Sequence, residues 1–154
     1  MTQYWSPTVV RAARRTAFTL IELVTVIVIL GVLSTVALPV YLDYKIDAMK
    51  SACKGSLGGM RTAVANYRAW TATDSGGGVA QYPTLAQFTT TGLIMKEGIP
   101  PNPFDADGTP NNVVDATGVA KGTLVGADKG WCYNPTNGQV WANSFTKSAV
   151  ENTF

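Results

Sequence analysis

Glu22 is the sole charged residue between Phe18 and Leu42, and twenty uncharged residues, Leu23 to Leu42, follow it. On insertion scales an acid at the centre of a bilayer costs about 2.5–3.5 kcal/mol, and less near the interface. Such a group needs a cationic partner. Phe18 lies four residues away, on the same helical face. A peptidase cutting between the small residue Ala17 and Phe18 would create an α-amine there. The chemistry this implies is a charge pair, within one chain or between copies, that depends on proteolysis.

Two other groups of residues invite chemistry. Cys53 and Cys132 are the only cysteines. In an oxidising compartment paired thiols usually join, and a bridge closing so long a loop adds about 4 kcal/mol in the chain-entropy model. Strand alternation sets Cys132 opposite Trp131 and Tyr133. A bridge to the helix therefore turns those aromatics outward, and inward aromatics disfavour the bridge. A Cys53–Cys132 disulfide is the expectation. Asp105, Asp107 and Asp115 surround Gly108 and are oxygen ligands of the kind calcium takes. Their spacing fails the EF-hand pattern, because the glycine falls two positions late and no acid follows at the twelfth place. A solvated turn is the simpler reading, and no cofactor is expected.

Composition narrows the function classes. The 154 residues include twelve Lys/Arg, ten Asp/Glu and no histidine, so the commonest general base and metal ligand is missing. No Gly-x-Ser-x-Gly turn and no phosphate loop is present. An enzyme is not expected. Residues 1–17 hold three of the basic residues (Arg11, Arg14, Arg15) and no acid. The basic balance therefore belongs mostly to this leader, and no basic patch indicates nucleic acid.

The elements that must position these residues follow from hydropathy patterning. At about 1.5 Å per residue the Leu23–Leu42 run spans roughly 30 Å, the thickness of a bilayer core. With the basic residues ahead of it, the positive-inside rule leaves the leader in the cytoplasm and the C-terminal part outside. A secretory signal has its small-residue cleavage site after the apolar run, whereas here Ala17 precedes it. Cleavage would remove the leader and keep the anchor. Pro39 removes a backbone hydrogen bond and crowds the carbonyl of Thr35, and Gly31 weakens the helix by roughly 1 kcal/mol relative to alanine. A kink is expected there, with Ser34 and Thr35 re-satisfying freed carbonyls. Beyond the anchor, Ile46, Met49, Cys53, Met60, Val64 and Tyr67 fall at helical spacing and form a core-facing stripe. The spacing predicts four segments: a leader over 1–17, an apolar helix half over 18–44, an amphipathic half over 45–70, and a globular part over 71–154.

Within that last part, Asp74–Gly78 is a glycine-rich loop. Thr84 and Gln87 form a capping-box pattern ahead of a short helix, with Leu85, Phe88 and Leu93 on its apolar face and Gly92 at its end. Ile99–Phe104 is extended by its prolines. Val119–Val125, Trp131–Tyr133 and Gln139–Ala142 read as strands, the last two joined by a turn at Asn134–Gly138. The fold class expected is α+β: a long helix with an apolar protruding half, its amphipathic half packed on a small antiparallel sheet.

The run Ala17-Phe18-Thr19-Leu20-Ile21-Glu22-Leu23-Val24 resembles the class III signal of type IV pilins and type II secretion pseudopilins. The resemblance covers about residues 14–50 and includes Pro39, and it departs from the usual pattern at Ala17, where the family commonly has glycine. It implies that a prepilin peptidase cuts before Phe18 and methylates its amine. It further implies that Glu22 pairs with the amine of an adjacent subunit, and that the stretch between Gly31 and Pro39 melts in the fibre. Implied partners are further copies in a helical homopolymer, an assembly platform protein and a cytoplasmic assembly ATPase. The implied location is the inner membrane, then an extracellular pilus or a periplasmic pseudopilus. The function expected is that of a pilus subunit, with a secretion pseudopilin as the alternative. A second alternative is a membrane-tethered adhesion module using Trp70, Trp131 or Trp141.

Overall fold

The computed structural model describes residues 18–105, 108–126, 129–146 and 149–154. The chain divides into two compact units, Met1–Val40 and Tyr41–Phe154. One helix, α1 (Leu20–Thr71), supplies the described secondary structure of the first unit and the first element of the second. Within 18–40 every residue is exposed. The helical assignment runs without a break through Gly31 and Pro39.

In the second unit the helix buries Cys53, Leu57, Met60 and Val64, which recur at three to four residues and so share one face. Of the expected stripe Cys53, Met60 and Val64 are buried, with Leu57 beside them, while Ile46, Met49 and Tyr67 are only partly buried. A short helix, α2 (Leu85–Thr89), carries the complete capping box: Thr84 Oγ1 accepts from the Gln87 N–H at 3.2 Å, and the Thr84 N–H donates to Gln87 Oε1 at 2.9 Å. It ends at Thr89 before Gly92 is reached, and Leu93 is exposed.

Three strands follow, β1 (Val113–Asp115), β2 (Trp131–Asn134) and β3 (Gln139–Ala142), in the order β1-β2-β3. The sheet is mixed, not antiparallel throughout: β1 pairs with β2 in parallel, and β2 with β3 antiparallel. The expected strand over Val119–Val125 does not form. Gly118 and Gly122 adopt positive φ, which turns the chain away from extended geometry. Val119 and Val125 instead pack on the far side of the sheet.

Alternation along β2 and β3 sorts the core into two clusters. Trp131, Tyr133, Val140 and Ala142 join Cys53, Leu57, Met60, Val64 and Phe88. Cys132 and Trp141 form the opposite cluster with Ala116. All four residues of β2 are buried. The polar ends of the large aromatics reach loop carbonyls: Trp131 Nε1 donates to Pro100 O (2.8 Å), Trp141 Nε1 to Thr123 O (2.9 Å) and the Tyr133 hydroxyl to Pro83 O (2.7 Å). These bonds meet the need of buried N–H and O–H groups for partners and tie three irregular segments to the sheet.

Candidate functional site

The apolar segment begins with a small hydrogen-bonded device. The Thr19 N–H and hydroxyl both donate to Glu22 Oε2 at 2.8 Å, and Thr19 Oγ1 faces the Glu22 N–H at 3.3 Å. Together they form a capping box at the start of α1, supplying acceptors for donors that the first turn leaves orphaned. The signal was present in the sequence as Thr19-x-x-Glu22, and reading Glu22 only as a charge in search of a cation missed it. The carboxylate therefore has partners within its own chain. Both Thr19 bonds end on Oε2, which leaves the Oε1 lone pairs for a further donor.

Phe18 is 89% exposed immediately ahead of this box. Ala17, the other side of the expected cleavage point, lies outside the described residues, as do Arg11, Arg14 and Arg15. Past Glu22 the helix is long and apolar enough to cross a membrane. At Gly31 an added Cβ would meet nothing within 4 Å, so packing inside this chain does not require glycine there. Ser34 and Thr35 donate to the carbonyls of Leu30 and Val32, both at 2.7 Å. They therefore serve the turn before Pro39 and not the Thr35 carbonyl that proline frees.

The expected disulfide is not formed. Cys53 and Cys132 are both free and buried, and they sit in the two separate clusters on opposite sides of β2. Once Trp131 and Tyr133 face the helix, alternation turns Cys132 away from Cys53. Burial pushes both thiols up to about 11; for Cys53 the Glu151 carboxylate adds to this, while Arg61 and Lys54 oppose it.

Two of the three acids considered for calcium, Asp105 and Asp115, accept hydrogen bonds within the chain. Asp105 Oδ2 accepts from the Gly130 N–H at 2.9 Å. Asp115 Oδ1 accepts from the Thr117 hydroxyl (2.6 Å) and N–H (2.8 Å), which hold its carboxyl below the usual range. Asp107 lies outside the described residues. Among the described residues no group of three His, Cys, Asp or Glu side chains is arranged to hold a metal ion. Of the tryptophans considered for adhesion, Trp131 and Trp141 are fully buried, and Trp70 is 53% exposed.

Sequence reasoning also missed a buried polar set. Glu151 is fully buried, with Oε2 accepting from the N–H and hydroxyl of Thr146 at 3.0 Å. Arg61 donates to Val140 O and Phe154 O. Asn102 Nδ2 bridges Gly130 O (2.8 Å) and Ser144 Oγ (2.9 Å). The Thr146–Glu151 pair is local, five residues apart, whereas the Arg61 and Asn102 contacts span 28 to 93 residues, which no local pattern announces.

The family described as the prokaryotic N-terminal methylation motif matches residues 13–38. The chain is 32% identical over 109 residues to the fimbrial protein EcpC of Eikenella corrodens, covering 68% of this chain and 66% of that protein. It is 35% identical over 86 residues to a fimbrial protein of Neisseria meningitidis, covering 53% of this chain and 51% of that one. It is 41% identical over 71 residues to the type IV major pilin protein PilE1 of Neisseria gonorrhoeae, covering 44% and 43%. The chain thus spans just under two thirds of the first relative and about half or less of the other two. No solved structure gives a significant match.

Proposed function

We propose, from the premise that this chain is one of the type IV pilin relatives bearing the N-terminal methylation motif, that it is a structural subunit of a pilus-like helical filament. Its N-terminal helix anchors it in the membrane before assembly and packs between copies afterwards. The observation that carries this reading is the Phe18–Leu42 segment itself. It is apolar, exposed at every residue and headed by a carboxylate held by Thr19. So much uncovered apolar surface needs either lipid or other copies around it. The pilin relatives favour the pilus over the secretion pseudopilus, and the burial of Trp131 and Trp141 takes most of the support from the adhesion reading.

The residues suggest how assembly is directed. A prepilin peptidase cuts after Ala17 and methylates Phe18. The Thr19 bonds fix Glu22 Oε2, so Oε1 is presented in a set orientation to the Phe18 amine of a neighbouring copy. Capping and charge pairing then coexist on one carboxylate. Apolar packing supplies cohesion and the ion pair supplies register, because an unmatched charge in apolar surroundings is strongly disfavoured. An assembly platform and a cytoplasmic ATPase provide the machinery that this chain does not. The test is immunogold labelling with antibody against residues 71–154 on cells of the native host. Labelling along extracellular filaments supports the proposal, and labelling confined to the cell envelope contradicts the pilus reading.

A further inference from the structure

The two faces of the sheet are closed by different means. On one face α1 covers Trp131, Tyr133 and Val140 with regular helix. On the far face Ala116, Cys132 and Trp141 pack with Val119 and Val125. Those two valines belong to residues 117–126, which form neither helix nor strand and of which none is buried.

The segment is fastened from outside itself. Trp141 Nε1 donates to Thr123 O (2.9 Å), and Asn152 Nδ2 donates to Gly122 O (2.6 Å). The Asn143 amide accepts from the Val125 N–H (2.8 Å) and donates to Val125 O (2.9 Å). The backbone bonds of Val119 to Ala116 and of Thr123 to Ala120 are local turns. No pair of the β1-β2-β3 ladder includes a residue of 117–126. Gly118 and Gly126 stand near its two ends with φ of 76° and 67°. An added Cβ at either would meet nothing within 4 Å, so glycine there serves the direction of the chain and not packing. Irregular, part-exposed backbone with few apolar contacts belongs to the low-stability end of a fold.

We propose that residues 117–126 are a strap that opens from the far face as one unit, while the ladder and the α1 side of the core stay closed. Opening breaks the bonds to Trp141, Asn143 and Asn152 and removes Val119 and Val125 from the second cluster. It uncovers Cys132 and Trp141, an apolar face that the closed form withholds. Cys53 stays covered, because it lies in the other cluster, across β2. The two thiols are both free and buried in the closed form. They therefore report separate events, Cys132 the strap and Cys53 the loss of the whole second unit.

The test is alkylation of the full chain in detergent by iodoacetamide across a urea series. Peptide mass spectrometry reads each thiol, normalised to its own rate in the unfolded chain, and far-UV circular dichroism reads α1. Below the global midpoint Cys132 should be alkylated at least tenfold faster than Cys53, and its rate should rise less steeply with urea, because strap opening exposes less surface than global unfolding. Val64→Ala weakens the α1 side in the closed and strap-open forms alike. It should speed Cys53 and leave Cys132 unchanged below the midpoint. Asn152→Ala removes one fastening from the closed form only, and should speed both thiols by the same factor. Equal protection with equal urea slopes, alkylation of Cys53 ahead of Cys132, or a Val64→Ala acceleration shared by both thiols would overturn the proposal. Should either variant fail to fold, the wild-type urea series decides alone.

Discussion

Replacing Glu22 by glutamine and by alanine separates the two tasks given to this side chain. Glutamine is a good capping-box residue, so Glu22→Gln keeps an acceptor for the Thr19 N–H and hydroxyl, which now donate at 2.8 Å. Glu22→Ala removes both bonds, costing the first turn about 1 kcal/mol, with Thr19→Ala comparable. If capping were the whole function, Glu22→Gln would assemble normally, and Thr19→Ala would be nearly as impaired as Glu22→Ala. If the charge directs assembly, both Glu22 variants leave the Phe18 amine unpaired in apolar packing. That carries a penalty of up to about 2.5–3.5 kcal/mol. At about 1.4 kcal/mol per tenfold, filament incorporation should fall at least tenfold for both, and several-fold at most for Thr19→Ala. The assay is quantitative immunoblotting of sheared filaments against the membrane fraction, with each variant co-expressed beside wild type. Membrane insertion should be unchanged throughout. Wild-type incorporation of Glu22→Gln would refute the charge argument and leave Glu22 as a helix cap.

Three further outcomes follow from the second unit. Leu57→Ala, at a fully buried helix position facing the sheet, should cost about 2–5 kcal/mol, read as a lower urea midpoint with unchanged slope. Gly138→Ala should cost more than about 1 kcal/mol, because φ is 71° there and a Cβ would collide with the Tyr82 ring; a midpoint equal to wild type would contradict the turn geometry. Neither thiol should react with an aromatic disulfide reagent until denaturant is added, and intact mass should show no loss of two hydrogens. The folded thiols titrate near 11 instead of 9. The folded state thus keeps protons that the unfolded state releases, and their contribution to stability is full below pH about 9 and is lost as pH rises towards 11. Burial raises Tyr133 in the same direction. Stability rising across that window would refute the assignment.

What the sequence disclosed was mostly local. The uncharged run after Glu22, the α1 stripe, the Thr84–Gln87 box and the turn at Asn134–Gly138 each carry their signal within a few residues. Those elements stand where the spacing puts them. The misreadings came from contacts that local pattern cannot hold. Val113–Asp115 is too short to announce itself, and its parallel partner Trp131–Tyr133 lies sixteen residues or more away. Val119–Val125 has strand-like composition, yet its glycines turn it into a cover for the second sheet face. The disulfide expectation failed on the same point. Alternation showed that Cys132 and the flanking aromatics oppose each other, but only the packing shows that the aromatics take the helix side and that both faces are buried. At the N-terminus the reverse happened. The Thr19–Glu22 box was readable and was overshadowed by the charge.

The most direct test of the account is mass spectrometry of filaments sheared from the native host, covering intact mass and the N-terminal peptide. The account predicts a chain in those filaments that begins at Phe18 and carries one added methyl group on its amine. A chain that still bears residues 1–17 and is found only in membranes would contradict it, because Glu22 would then have no Phe18 amine to meet.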